Sequence, residues 1–121
     1  MNNHAQLCQA LEHFPNAIFL CNDGLRPIYA NLKALELCRI SEKRLMELPL
    51  DQLLQPQHQS LTSLLRQMTP GHTQHLTRAP VQLCQQTLIA ELFLSHSEVD
   101  GNALFTIELQ HTPLEDKIEA E

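Results

Sequence analysis

Apolar and polar positions along this chain change their period in ways that mark out its elements. Between residues 3 and 13, Ala5, Leu7, Cys8, Ala10 and Leu11 recur at helical spacing, which predicts an amphipathic helix ending before Pro15. Ala17 to Cys21 is then a continuous apolar run of strand length, and Pro27 to Ala30 is a second. Between them Asn22, Asp23 and Gly24 are turn residues, expected to take the positive φ angles of a tight hairpin. Asn31 stands where a helix N-cap belongs, ahead of an apolar helix over Leu32 to Cys38. Ser41 to Leu54 reads as two short helical turns, one opened by Ser41 and the other by Pro49 and Leu50. The strongest helical stripe lies in Gln57 to Met68, where Leu61, Leu64, Leu65 and Met68 share one face until Pro70 and Gly71 stop it.

After Gly71 the period falls to two. His72 to Leu83 predicts a polar strand interrupted by Pro80. Thr87 to His96 alternates, with Leu88, Ala90, Leu92 and Leu94 on one face and Ile89, Glu91 and Phe93 on the other. Asp100 and Gly101 form a second hairpin turn, and Ala103, Phe105, Ile107 and Leu109 line one face of the last strand. Beyond Pro113 the charged run LEDKIEAE carries Leu114 and Ile118 four apart, and it reads either as the opening of a further helix or as a frayed end. The expected organisation is an N-terminal helix over 1–14, an α+β domain over 15–112, and from 113–121 the start of a linker to a downstream module.

Composition narrows the classes. The 121 residues suit one domain, with a single core near the lower end of the usual size. A net charge of −6, from 14 acidic and 8 basic residues without a Lys/Arg cluster, argues against nucleic acid or an anionic membrane as partner. No run approaches the ~18 apolar residues of a spanning helix. The first residues also lack the basic start and apolar core of a signal peptide, so a cytoplasmic location is expected. Cys8, Cys21, Cys38 and Cys84 contain no CxxC pair and each falls in an apolar pattern, as buried small hydrophobes do. A redox-sensing thiol at Cys8 or Cys38 is the alternative.

The order strand, Asn-Asp-Gly turn, strand, Asn31 and helix over Asn16 to Leu37, followed by short helices and three strands, resembles a PAS sensory domain from roughly Leu11 to Gln110. Asp23, Gly24 and Asn31 are the structural motif of that resemblance. It implies the PAS fold: a five-stranded antiparallel sheet in the order B-A-I-H-G, short helices on one face and an N-terminal amphipathic helix. Pro27 and Pro80, which remove ladder donors, would then both fall on edge strands. The stretch IYANLKALELCRISEKRLMELPLDQLL is similar to the nitrogen-regulation (NtrB-type) sensor histidine kinases, as is the ending LFTIELQHTPLED, although Leu32 replaces the usual proline after the asparagine. The resemblance implies a sensory domain that dimerises and transmits signals by ligand or partner binding, as the N-terminal part of a bacterial two-component sensor kinase. The alternatives are a PAS regulatory module of a transcriptional activator or cyclic-dinucleotide signalling enzyme, or a cysteine-based redox sensor.

Chemistry is expected to lie elsewhere. There is no glycine-rich phosphate loop, Gly-x-Ser-x-Gly elbow or His-Glu-x-x-His helix, so the chain itself is not expected to be an enzyme, and any kinase activity would lie downstream. The flavin-attacking Asn-Cys-Arg-Phe-Leu motif of photosensory relatives is absent, and His58 falls at the start of its helix rather than at a haem-ligating position. Neither flavin nor haem is therefore expected, while an unidentified small ligand stays open. His72 and His75 would point to opposite faces of a strand, so no metal site is expected. Between helices and sheet, Leu35, Cys38, Leu53, Leu54, Leu61, Leu65, Leu92, Phe105 and Ile107 should meet, either as a filled core or as an apolar ligand pocket. On the outer sheet face, Ile89, Phe93 and Leu104, with Leu7 and Leu11 of the first helix, are the expected homodimer interface. A cover within one monomer is the alternative there.

Overall fold

Long alternating segments can satisfy their backbone only by pairing, and here they pair into one sheet. The computed structural model describes residues 9–56, 59–84 and 86–111. Its strands are β1 (Ala17–Cys21), β2 (Pro27–Ala30), β3 (Leu54–Pro56), β4 (Thr73–Leu83), β5 (Gln86–Val99) and β6 (Asn102–His111), in the order β2-β1-β6-β5-β4-β3. Every adjacent pair is antiparallel. This is the expected order with one addition: six strands rather than five. The extra strand, β3, pairs Leu54, Gln55 and Pro56 with Leu83, Gln82 and Val81. Its sequence reads as a helix end because two leucines continue the preceding apolar stripe, yet Leu54 has φ −151 and ψ 124 and passes straight into the ladder. Pro27 lies on the edge strand β2, and Pro80 lies on β4 just beyond the three residues that β3 covers. Pro27 is thus on an edge as expected, whereas β4 is not an edge strand, because β3 pairs beyond it; Pro80 falls where β3 no longer covers β4.

The helices are short and individually capped: α1 (Leu32–Cys38), α2 (Glu42–Met46), α3 (Leu50–Leu53) and α4 (Leu61–Arg66). The side-chain oxygens of Asn31, Ser41 and Ser60 accept the amides of Ala34, Arg44 and Ser63, closing the first turns of α1, α2 and α4. The last of these begins at Leu61 rather than Gln57. Its start is set by Ser60 and by Asp51, whose carboxylate accepts from the Ser60 hydroxyl and the Thr62 amide. Gln57 and His58 lie outside the described residues.

The two hairpin turns differ. At β5–β6 Asp100 and Gly101 take φ 55 and 81, the two positive angles of a two-residue turn that closes Val99 against Asn102. At β1–β2 the expected positive angles at Asn22, Asp23 and Gly24 do not occur; the left-handed residue is Leu25, with φ 60. The Asn22 side chain does the organising, since its Oδ1 accepts from the amides of Gly24 and Arg26. Leu25 tolerates its backbone because that conformation turns its side chain into the core, where it is 5% exposed.

Candidate functional site: the Asn31 clamp and the outer sheet face

The helix-facing side of the sheet and the inward faces of the helices form one apolar cluster. Cys38, Leu53, Leu54, Leu61, Leu65, Leu92, Phe105 and Ile107 are buried together in it, and Leu35 packs against its margin. The residues expected to line a pocket are thus brought together as mutually contacting side chains. A cleft of about 720 Å³ meets that set only at Cys38, and it runs past Arg39, Arg44, Gln55, Gln82 and Cys84 at the end of the sheet.

Asn31 is a fully buried polar residue, and it uses all of its hydrogen-bonding capacity. Its Oδ1 accepts from the amides of Ala34 in α1 and Ile18 in β1, each at 3.0 Å. Its Nδ2 donates to the carbonyls of Leu11 at 2.9 Å and Asn16 at 3.0 Å. One side chain therefore joins the start of α1, strand β1 and the end of the helical turn at residues 9–11. Two further bonds hold the same corner: the Leu32 amide donates to the Glu12 carbonyl, and the Tyr29 hydroxyl donates to the Glu12 carboxylate at 2.6 Å.

That corner continues onto the outer face of the sheet. Ile18, Leu20 and Tyr29 form a second buried cluster there, covered by Leu11 and Leu104. Leu7 lies outside the described residues. Toward β5 and β4 the face stays partly open: Ile89 is 38% exposed, and Phe93 is half-buried and stacked on His75 with ring centroids 4.3 Å apart. Beside them the Glu91 carboxylate accepts from His75 and from the Arg78 amide, which is presented by a bulge between Leu76 and Ala79. The His75 hydrogen bond, aided by the Arg78 amide, holds the Glu91 carboxyl below its ordinary value. The alternation of β5 foretold the outward direction of Ile89 and Phe93. No local pattern announced Glu91 as the acceptor for a bulge across the ladder.

The thiols occupy three different environments. Burial pushes the Cys21 thiol up to about 12. Burial also raises the Cys38 thiol, and the neighbouring Cys84 thiol adds to the rise. Cys84 is only half-buried, and Cys8 lies outside the described residues. Among the described residues no group of three or more His, Cys, Asp and Glu side chains is placed to hold a metal ion. Among them also, no helix is long and apolar enough to cross a membrane.

The sheet order, the capping asparagine and the short helices on one face are those of a PAS domain. The family model described as PAS domain matches residues 5–69, over half of the sequence, and the chain belongs to that family. A search of curated proteins finds no match. Among solved structures it resembles the PAS domain of nitrogen regulation protein NR(II) from Vibrio parahaemolyticus, at 22% identity and TM-score 0.70, over 88% of this chain and 97% of that one. It also resembles the PAS domain of an HTR-like protein from Haloarcula marismortui, at 11% identity and TM-score 0.73, over 89% and 90% of the two chains. A third similar fold is a PAS domain from a two-component sensor histidine kinase, at 13% identity and TM-score 0.68, over 89% and 95%.

Proposed function

We propose that this chain is a sensory PAS module that forms a homodimer through the outer face of its sheet, within a two-component sensor kinase. The observation that carries this reading is the apolar character of that face. One side of an antiparallel sheet normally faces water and carries polar residues. Here Ile18, Leu20 and Tyr29 are already covered by Leu11 and Leu104, and the apolar surface continues to Ile89 and Phe93. A second copy of the chain, laid across that remainder, would bury it. The fold-level likeness to PAS domains of NR(II) and of a sensor histidine kinase supports the kinase setting. In this reading the module binds and relays rather than catalyses, and the segment after Pro113, outside the described residues, carries the state of the interface to a downstream domain of the same chain.

Sedimentation equilibrium tests it. Ile89→Asp and Phe93→Asp each place a charge in the interface and should weaken self-association at least tenfold, about 1.4 kcal/mol. Leu32→Asp, at another exposed apolar position (41% exposed), should leave it unchanged. Equal association of all three variants and the parent would contradict the reading.

A further inference from the structure

Two cysteines that no sequence pattern associates meet at the end of the sheet. Cys38 closes α1, and Cys84 sits in the left-handed corner after β4, with φ 56. One bond fastens the two segments together, and another holds the Cys84 corner to α3. The Gln86 carboxamide donates to the Leu37 carbonyl of α1 at 2.5 Å, and the Cys84 amide donates to the Leu53 carbonyl of α3 at 2.8 Å. Cys38 and Cys84 both line the 720 Å³ cleft beside Arg39 and Arg44, Cys38 buried and Cys84 half-buried.

We propose that Cys38 and Cys84 are a reversible dithiol–disulfide pair, oxidised by hydrogen peroxide that enters this cleft. Cys84, the more exposed thiol, reacts first. Its thiolate attacks one peroxide oxygen, the O–O bond breaks, and hydroxide leaves, so the sulfur becomes a sulfenic acid two electrons more oxidised. The Cys38 sulfur then attacks the Cys84 sulfur. The S–S bond forms, the S–O bond breaks, and the departing hydroxide takes the Cys38 proton as water. Two thiols and one peroxide give one disulfide and two waters. In the disulfide the two sulfurs close to about 2.05 Å. Burial keeps the Cys38 thiol protonated, which suits the resolving partner better than the first reactant and makes the closing step faster as pH rises. The bond would tether the last turn of α1, whose first turn is held by Asn31, and that helix is the covalent path from the cleft to the clamp. Its use as a signal input rests on the sensory reading above, but the thiol chemistry does not.

The test treats the full chain with hydrogen peroxide, blocks remaining thiols, and reads the intact mass and the linked peptides. Apart from the blocking groups on the remaining thiols, the parent and Cys21→Ser should each become lighter by two hydrogens, with Cys38 and Cys84 joined in one peptide pair and released by dithiothreitol. Cys38→Ser and Cys84→Ser should form no such link. Because either serine could disturb folding, phenylarsine oxide, which bridges neighbouring thiols, supplies a readout on the parent chain alone. One equivalent bound with both Cys38 and Cys84 protected supports the pair. Linkage through Cys8 or Cys21, oxygen added to single thiols without a link, or no protection by the arsenical would each overturn it. Linkage is read by mass and self-association by sedimentation, so failure of one proposal is distinguishable from failure of the other.

Discussion

Asn31 concentrates four hydrogen bonds in one buried carboxamide, and its replacement should be felt at every partner. Asn31→Ala leaves the Ile18 and Ala34 amides and the Leu11 and Asn16 carbonyls without their partner. The expected cost is on the order of 3 kcal/mol in urea unfolding, the sum of a lost cap and stranded buried groups. Asn31→Asp should fare little better, since it keeps the acceptor but loses both donors. A cost below about 1 kcal/mol for Asn31→Ala would show the clamp to be unimportant. The capping half of this role was legible in the sequence, because an N-cap is recognised from its immediate neighbours. The clamping half was not, because the Leu11 and Asn16 carbonyls reach Asn31 only through the tertiary fold. Glu91 was likewise legible only as an outward residue of an alternating strand. With its pKa depressed by His75 and the Arg78 amide, its contribution is present above the ordinary carboxylate value of 4.5 and is lost as the pH falls through the lower folded value. Glu91→Gln should therefore flatten the acid limb of the stability–pH curve below about pH 4.5 while changing its shape little above pH 6. Identical acid limbs in the two proteins would contradict that role.

At the scale of elements, the two hairpins make opposite predictions for the same substitution. Gly101 has φ 81, so Gly101→Ala should cost about 1 kcal/mol through backbone strain. Gly24 has no positive φ, and a Cβ there would meet only Asn22 Oδ1 at 3.5 Å, an ordinary contact. Gly24→Ala should therefore be neutral within about 0.5 kcal/mol. Thermal unfolding of the two variants separates the cases, and equal destabilisation would contradict the turn assignments. The sequence marked both turns by composition, yet it could not say which residue takes the strained angle. Asn22 and Leu25 settle that between them, one by its side-chain hydrogen bonds and the other by its burial. The strands and α1 followed the hydrophobic period closely, because one buried face imposes it. β3 escaped notice because three residues are too few to display a period, and α4 was overextended because its stripe resembles a longer helix until Ser60 and Asp51 fix its start.

For the whole molecule, eight of the nine residues expected between helices and sheet are buried in one contact cluster, with Leu35 at its margin, so their substitution should be read first as a stability effect. Leu65→Ala, at a fully buried position on α4, should cost about 2–5 kcal/mol. The outer face is where the function is proposed to lie, and there substitutions should change association more than folding. Native mass spectrometry of the intact chain at rising concentration tests this most directly. The account predicts a dimer at twice the bare 13.8 kDa chain mass, reverting to monomer in Ile89→Asp without loss of folded structure. A monomer at every concentration would contradict it, as would a dimer that Ile89→Asp leaves intact.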